Sequence, residues 1–379
     1  MVTSKHSSSV HRVGVIGTGF VARHFCQELV HRSNYALTKV LTRRPIDSVD
    51  FPIQGVLTNE IDEVIETSDI IFECTGDVHF ATETIAAAIE AGRKVVTLNP
   101  EFHVTTGSWF VGRGFLTEAD GDQPGCQASL VEEAEAMGFE AIVLGNMKGF
   151  LNRVPDPEEM KFWAGKQGIS MPMVTSFTDG TKLQFEQALV GNYFAAGIAQ
   201  DELIGPETDD LAEAATILGD AATAQGRPIT DYVLSRKLPH GVFVIAKHKG
   251  EQKDALRYLK LGEGPYYTLM RNNIFVHLEV FRTLDRITRG GGVLLDNAAV
   301  PEIGVATIAK RRVEAGTHIK RGAGSFDVRG ICVRIADHPG HLPIGLADDI
   351  RLKHSVEPGQ PITMSDVEIP PARQGFAFR

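Results

Sequence analysis

Thr178-Asp179-Gly180-Thr181-Lys182-Leu183-Gln184-Phe185-Glu186 sets one lysine among two carboxylates and two hydroxyls. After Gly180 the apolar spacing predicts a helix through about residue 197, capped by Thr178 or Asp179. Lys182 and Glu186, four apart, share a face of it. Lysine before glutamate is the weaker order for helix stabilisation. A lysine near a helix start also opposes the dipole, so it needs an anionic or carbonyl partner. These residue types suit Lys182 as proton donor and acceptor at a substrate oxygen, oriented by Asp179 or Glu186. A clamp on a substrate anion and a plain surface ion pair are the other readings of the same residues. A second stretch, Asp120-Gly121-Asp122-Gln123-Pro124-Gly125, closes a strand and opens a helix at about Pro124. Asp120, Asp122 and Gln123 would point from that strand end into a ligand cleft, with Asp122 among the catalytic groups. An Asp-Gly turn capping a helix is compatible with the same pattern. Lys148 follows the apolar run 141–144 and suits a substrate phosphate or carboxylate, as does Thr178 beside the lysine helix; an ordinary loop lysine is the alternative for Lys148. His240 and His277 sit beside apolar runs as core or rim residues. His277 and Glu279 would lie on different helix faces, so the chain offers no metal motif, and dependence on a divalent metal stays open.

Residues 12–22, RVGVIGTGFVA, raise a different chemistry. An apolar run meets Gly17-Thr18-Gly19-Phe20-Val21-Ala22 where a strand gives way to a helix, the context in which GxGxxG/A binds a dinucleotide. Gly17 would allow the tight turn, Gly19 the backbone approach to a pyrophosphate, and Ala22 close packing of helix on sheet. Amides of the helix start would face the phosphates. An NAD enzyme usually ends its second strand in Asp or Glu. Here the strand ends Thr42-Arg43-Arg44, a hydroxyl and two guanidiniums that suit a 2′-phosphate. The expected cofactor is NADP, with NAD second.

Positioning such a cradle takes alternating strands and helices. β-rich runs recur at 13–16, 37–41, 70–72, 94–98, 115–117 and 141–144, and the stretch 81–94 has a helical face ended by Gly92. The alternation predicts an α/β fold whose N-terminal part is a doubly wound parallel sheet of Rossmann type. The chain has 379 residues, with 43% hydrophobic and 23% charged residues, as soluble multi-domain proteins do. A net charge of −10 without a basic patch argues against nucleic acid. No apolar run has the roughly 18 residues of a membrane span, and the polar first residues lack a leader's apolar core. Four separated cysteines fit free thiols in a reducing cytoplasm.

The stretch IIFECTGDVHFATETIAAAIEAGRKVVTLN (70–99) resembles homoserine dehydrogenases, and the resemblance runs over about the first 100 residues. It implies that Cys74, Thr75, Gly76 and Asn99 lie on the nicotinamide side of the cofactor. The family's lysine after this segment is missing; Asn99-Pro100-Glu101 stands there. Asp209-Asp210-Leu211 survives from a later family signature, whose acid and lysine are replaced by Ala215 and Gly219. ADGDQPG (119–125), SFTDGTKLQFEQALVGN (176–192), HGVFVIAKH (240–248), LKLGEGPYYTLMR (259–271) and VHLEVFRTL (276–284) are similar to a subgroup of homoserine dehydrogenase-like oxidoreductases. Its members include reductoisomerase-like enzymes acting on 1-deoxy-D-xylulose 5-phosphate. VATIAKRRVEAGTHI (305–319) and LADDIRLKHSVEPGQPITMSDV (346–367) resemble the SAF domain carried by that subgroup.

Together these readings predict a tail over 1–10, a Rossmann domain over 11–145, an α+β catalytic and oligomerisation domain over 146–300 and a small β-rich SAF-like domain over 301–379. The expected activity is NADP-dependent hydride transfer to or from a small polar hydroxy or carbonyl compound. A sugar-phosphate reductoisomerase and a non-catalytic NADP-binding regulator are the alternatives. A homo-oligomer, dimer or tetramer, is expected by analogy, through pairing of catalytic-domain sheets. The C-terminal domain would act as a lid or as a scaffold, with Lys310-Arg311-Arg312 suited to an anionic substrate.

Overall fold

Val13, Val15 and Ile16 are wholly buried, as a strand covered on both faces of a parallel sheet requires. They lie in β1 (His11–Ile16), which leads into α1 (Phe20–Leu29) and β2 (Tyr35–Leu41). β3 (Leu57–Thr58), α2 (Ile61–Thr67), β4 (Ile70–Glu73), α3 (Val78–Glu90) and β5 (Lys94–Thr97) follow. The computed structural model describes residues 10–370 and divides the chain into two compact units. The first comprises residues up to Asn99, Gly112–Gly121 and Phe275–Leu294. After β5 the chain forms α4 (Pro100–Thr105), part of the second unit, and then β6 (Leu116–Glu118), part of the first. The first unit's sheet runs β3-β2-β1-β4-β5-β6, every pair parallel, which is the Rossmann order. The α/β expectation holds.

The second unit holds Pro100–Val111, Asp122–Ile274 and the chain from Leu295 on. Its elements are α5 (Gln123–Ala136), β7 (Glu140–Lys148), α6 (Pro157–Gln167), α7 (Met171–Thr178), α8 (Thr181–Tyr193) and α9 (Leu211–Gln225). They continue with β8 (Ile229–Leu234), β9 (Gly241–Lys247), α10 (Lys253–Tyr258) and β10 (Tyr267–Arg271). The run at 141–144, read as one more strand of the N-terminal alternation, instead opens a mixed sheet of order β10-β9-β7-β8. Only β7 and β8 pair in parallel there. Leu144, Val242, Val244 and Ala246 on one face share a core with Cys126, Leu130 and Ala134 of α5. Val143, Met147, Phe243 and Ile245 on the other share a core with Ala214, Leu218 and Ala222 of α9. Helices of the same chain therefore cover both sheet faces.

α11 (Val280–Thr288) returns to the first unit, although the sequence assigned this stretch to the catalytic domain. Val280, Phe281, Leu284 and Ile287 form its apolar stripe, and the Phe281 ring stacks on Phe25 at 5.0 Å. The chain ends in β11 (Ile303–Ala309), β12 (His318–Ile319), β13 (Val328–Arg334), β14 (Ile350–Leu352) and β15 (Val367–Glu368). β11 pairs antiparallel with β13, and β12-β14-β15 form a second small sheet. Val305, Val328, Ile344, Ile350 and Ile362 share one core with Leu183, Phe185 and Ala188 of α8. Among the described residues no helix is long and apolar enough to cross a membrane.

Candidate active site

Gly17 turns the chain between β1 and α1 with φ +121°, a conformation L side chains rarely adopt, and a Cβ there would lie 3.3 Å from the Cys74 carbonyl oxygen. A Cβ on Gly19 would meet nothing within 4 Å, so the backbone faces open space where α1 begins at Phe20 and Val21. Ala22 is wholly buried, as close packing of helix on sheet demands. Beyond β2, Arg44 donates to Thr18 Oγ1 at 2.9 Å, and Thr18 Oγ1 lies 3.5 Å from Thr42 Oγ1. The Arg43 guanidinium donates to Asp77 Oδ2 at 2.8 Å and lies 4.4 Å over the Phe80 ring. Burial pushes the Asp77 carboxyl up, but the Phe80 amide and Arg43 outweigh it and hold the group below its ordinary value. A cavity of about 550 Å³ opens here, lined by Thr42, Arg43, Asn59, Phe80 and Thr84 among others. The tight glycine turn and the open helix start fit the pyrophosphate of a nicotinamide dinucleotide.

Cys74, Thr75, Gly76 and Asn99 follow β4 and β5. Their organiser, which sequence reading missed, is Glu73. Its Oε1 accepts from the Thr75 amide at 2.7 Å and from the Thr75 hydroxyl. Its Oε2 accepts from Thr97 Oγ1 at 2.7 Å and Asn99 Nδ2 at 3.3 Å. Burial pushes this carboxyl up, opposed by those donors. The available signal was a glutamate ending an otherwise apolar strand.

Asp120, expected beside Asp122 and Gln123, belongs to the first unit. Its carboxylate lies 3.2 Å from Arg282 Nε, and its amide donates to Thr283 Oγ1 at 2.8 Å. Asp122 and Gln123 belong to the second unit, where Asp122 caps α5 by accepting from the Gln123 amide at 2.9 Å.

The second unit brings most of the remaining expected groups together. Lys182 Nζ donates to Glu101 Oε2 at 3.1 Å and Asp122 Oδ2 at 3.2 Å, with its side chain 12% exposed. Lys148 Nζ donates to Gln123 Oε1 at 2.7 Å and Glu186 Oε2 at 3.2 Å. Asn146 Nδ2 reaches both the same oxygens at 2.9 Å. Gln123 Nε2 lies 2.9 Å from His240 Nε2, so His240 accepts there as the neutral ring. Burial and the nearby Lys148 ammonium both lower the His240 pKa. Burial pushes the Glu186 carboxyl up to about 7, with Asp122 adding to the rise and Lys148 and Lys182 opposing it.

Three expectations change. Lys182 takes its carboxylates from α4 and the start of α5 rather than from Asp179. Asp179 instead pairs with Lys310 at 2.6 Å, both side chains wholly buried. Thr178 accepts from the Asn152 amide through its carbonyl at 2.7 Å and lines a cavity of about 300 Å³ with Phe150, Trp163, Val174 and Phe177. None of the lysine cluster lines that cavity. The basic run at 310–312 offers no clamp for an anion: Lys310 pairs with Asp179, Arg311 with Asp327, and Arg312 with Glu314 and Glu357. The four cysteines are free thiols.

A family model described as "Oxidoreductase DRL, catalytic domain" matches residues 121–280. Among solved structures, the chain is similar to UDP-N-acetylglucosamine 3-dehydrogenase from Acidithiobacillus ferrooxidans at 13% identity, covering 76% of this chain and 91% of that one with a TM-score of 0.43. It is also similar to biliverdin reductase from Synechocystis, in a complex with biliverdin and NADP+, at 12% identity, 76% and 94% coverage and a TM-score of 0.40. Dihydrodipicolinate reductase from Paenisporosarcina is similar at 14% identity, 74% and 94% coverage and a TM-score of 0.36. No protein of curated function matches. The oxidoreductase catalytic-domain match, with the parallel sheet and its glycine cradle, bears out the expectation of an NAD(P)-dependent oxidoreductase.

Proposed function

We propose that this chain is an NADP-dependent oxidoreductase that interconverts a carbonyl and an alcohol in a small anionic substrate, with Lys182 handling the proton. The observation that carries this reading is the largely buried Lys182 ammonium, held at 3.1 and 3.2 Å by Glu101 and Asp122. Bound at the cradle, the nicotinamide would supply or accept the hydride. The chain's own part is to hold a proton where oxygen charge develops. Glu101 and Asp122 hold the Lys182 amine in place; in the reductive direction its proton passes to the substrate oxygen as that oxygen becomes alkoxide-like. Lys148, held by Gln123 and Glu186, is placed to meet a phosphate or carboxylate. Arg43 and Arg44 support NADP over NAD.

A second reading, the sugar-phosphate reductoisomerase, is favoured by one feature. Glu186 with Lys148 is a second lysine–carboxylate pair, and a carboxyl near 7 exchanges protons readily at neutral pH. Skeletal rearrangement before reduction needs such a second proton site. Two buried acid–base pairs are also more than a purely regulatory NADP sensor requires.

The test is NADPH oxidation against a panel of uncharged, carboxylated and phosphorylated carbonyl compounds, including 1-deoxy-D-xylulose 5-phosphate. Turnover confined to anionic members supports the reading, and turnover only of uncharged ones rejects it. Glu186 adds a pH signature. Its folded-state pKa, about 7, lies above the usual glutamate value of about 4.3, so the stability it contributes is full below about 4.3 and lost as pH rises through about 7. Glu186→Gln should flatten the fall in melting temperature across that window and remove a limb near pH 7 from kcat/KM. A variant with the wild-type profile in both would show that Glu186 titrates elsewhere.

A further inference from the structure

The β-rich segment from Ile303 onward is keyed to α8 by polar contacts as well as by a shared core. Lys310 Nζ lies 2.6 Å from Asp179 Oδ2, and Lys310 also donates to the Ser325 carbonyl. Asp179 Oδ1 accepts from the Thr181 amide at 2.8 Å, in the first turn of α8. Thr181 Oγ1 accepts from the Gly330 amide at 3.0 Å, and Gln184 Oε1 from the Cys332 amide at 2.7 Å, so backbone of β13 is docked on the helix. Gly330 is needed for that approach, because a Cβ would lie 2.7 Å from Val305 Cγ1 and 3.1 Å from Thr181 Cγ2.

These contacts use one face of α8. Thr181, Gln184 and Ala188 follow the i, i+3, i+7 spacing, while Lys182 and Glu186 share a different face. Burial pushes Asp179 up and Lys310 down, each pulled back by the other. Removing two charges from water is costly, and an apolar pair of similar volume would hold the segment at least as firmly. What the ion pair adds is direction: it fixes one register of the Asp179-Gly180 turn from which α8 starts.

We propose that Lys310 is a positioning residue for Lys182. Through Asp179 and Thr181 it sets the rotation and axial position of the first turn of α8, and so where the Lys182 amine stands between Glu101 and Asp122. The proposal rests on the reading of Lys182 given above and assigns the C-terminal β segment a task other than a lid. Lys310 touches none of the reacting groups.

The experiment is competitive acetylation of the full-length protein with trace acetic anhydride at fixed pH, each lysine quantified by mass spectrometry. In Lys310→Met, measured well below its melting temperature, Lys182 labelling should change at least threefold while Lys148 labelling and NADPH affinity stay within twofold of wild type. The neutral hydrogen-bonding pair Asp179→Asn with Lys310→Gln should restore Lys182 labelling toward wild type. If Lys310→Met does not fold, Asp179→Leu combined with Lys310→Met removes the whole linkage without leaving an unpaired buried charge and should shift Lys182 labelling in the same direction. Wild-type Lys182 labelling in whichever of these variants folds overturns the proposal. In a turnover assay the expected mark of Lys310→Met is a fall in kcat with KM little changed. The labelling needs no substrate, so the two claims separate: full turnover in Lys182→Met would overturn the catalytic reading, and the labelling would still decide the positioning.

Discussion

Lys182→Met is expected to lower kcat by about 10²–10⁴, the range for loss of a general acid or base, with NADPH affinity nearly unchanged. Methionine keeps most of the side chain's length and volume, so the change isolates the amine. That amine is largely buried and held by Glu101 and Asp122. An ordinary surface pair of lysine and carboxylate contributes only about 0–1 kcal/mol and does not call for burial. Methionine would leave Glu101 and Asp122 without their cation, so some loss of stability accompanies the loss of rate; circular dichroism and a thermal melt separate the two. Steady-state kinetics on an active panel substrate is the check, and unchanged turnover would return Lys182 to a structural role.

The second large effect concerns cofactor choice. NADPH should bind at least about tenfold more tightly than NADH, which needs about 1.4 kcal/mol from contacts to the 2′-phosphate. Arg43→Asp should reverse the order. Arg43 carries a built-in restraint, because Asp77 and the Phe80 ring hold its guanidinium at the lip of the 550 Å³ cavity. Arg44 is held differently, by Thr18 of the glycine turn. Arg44→Ala should thus weaken NADPH with little effect on NADH. Fluorescence titration of both cofactors against each variant reads these affinities directly.

The parallel sheet was legible because its strands are buried on both faces and read as unbroken apolar runs with glycine turns between them. β3 escaped notice, since a two-residue edge strand has no periodicity to detect. The run at 141–144 was seen as a strand but placed in the wrong sheet. Local pattern does not say which neighbour a strand will take, and here the partners are Gly241–Lys247 and Ile229–Leu234, far along the chain. The return of Val280–Thr288 to the first unit escaped for the same reason.

At the site, Lys182, Asp122, Gln123, Lys148 and Glu186 were each named from sequence, and the structure brings them into one polar cluster. Their pairings were not legible. Spacing suggested Glu186 or Asp179 for Lys182, but i, i+4 neighbours on a helix compete with groups brought in by other elements. Glu101 arrives on α4, and Asp179 is taken by Lys310, just past β11 and more than a hundred residues away. Glu101 was visible only as the residue near a missing family lysine, and Asn146 lay inside an apolar strand, where only the fold reveals that its amide meets Glu186.

A titration of the full-length wild-type protein with NADPH and, separately, NADH, following nicotinamide fluorescence, decides whether NADP binds at the glycine cradle. Saturable binding of NADPH, at least about tenfold tighter than NADH, is the predicted result. No saturable binding of either cofactor would contradict the account, and equal affinities would contradict its assignment of Arg43 and Arg44.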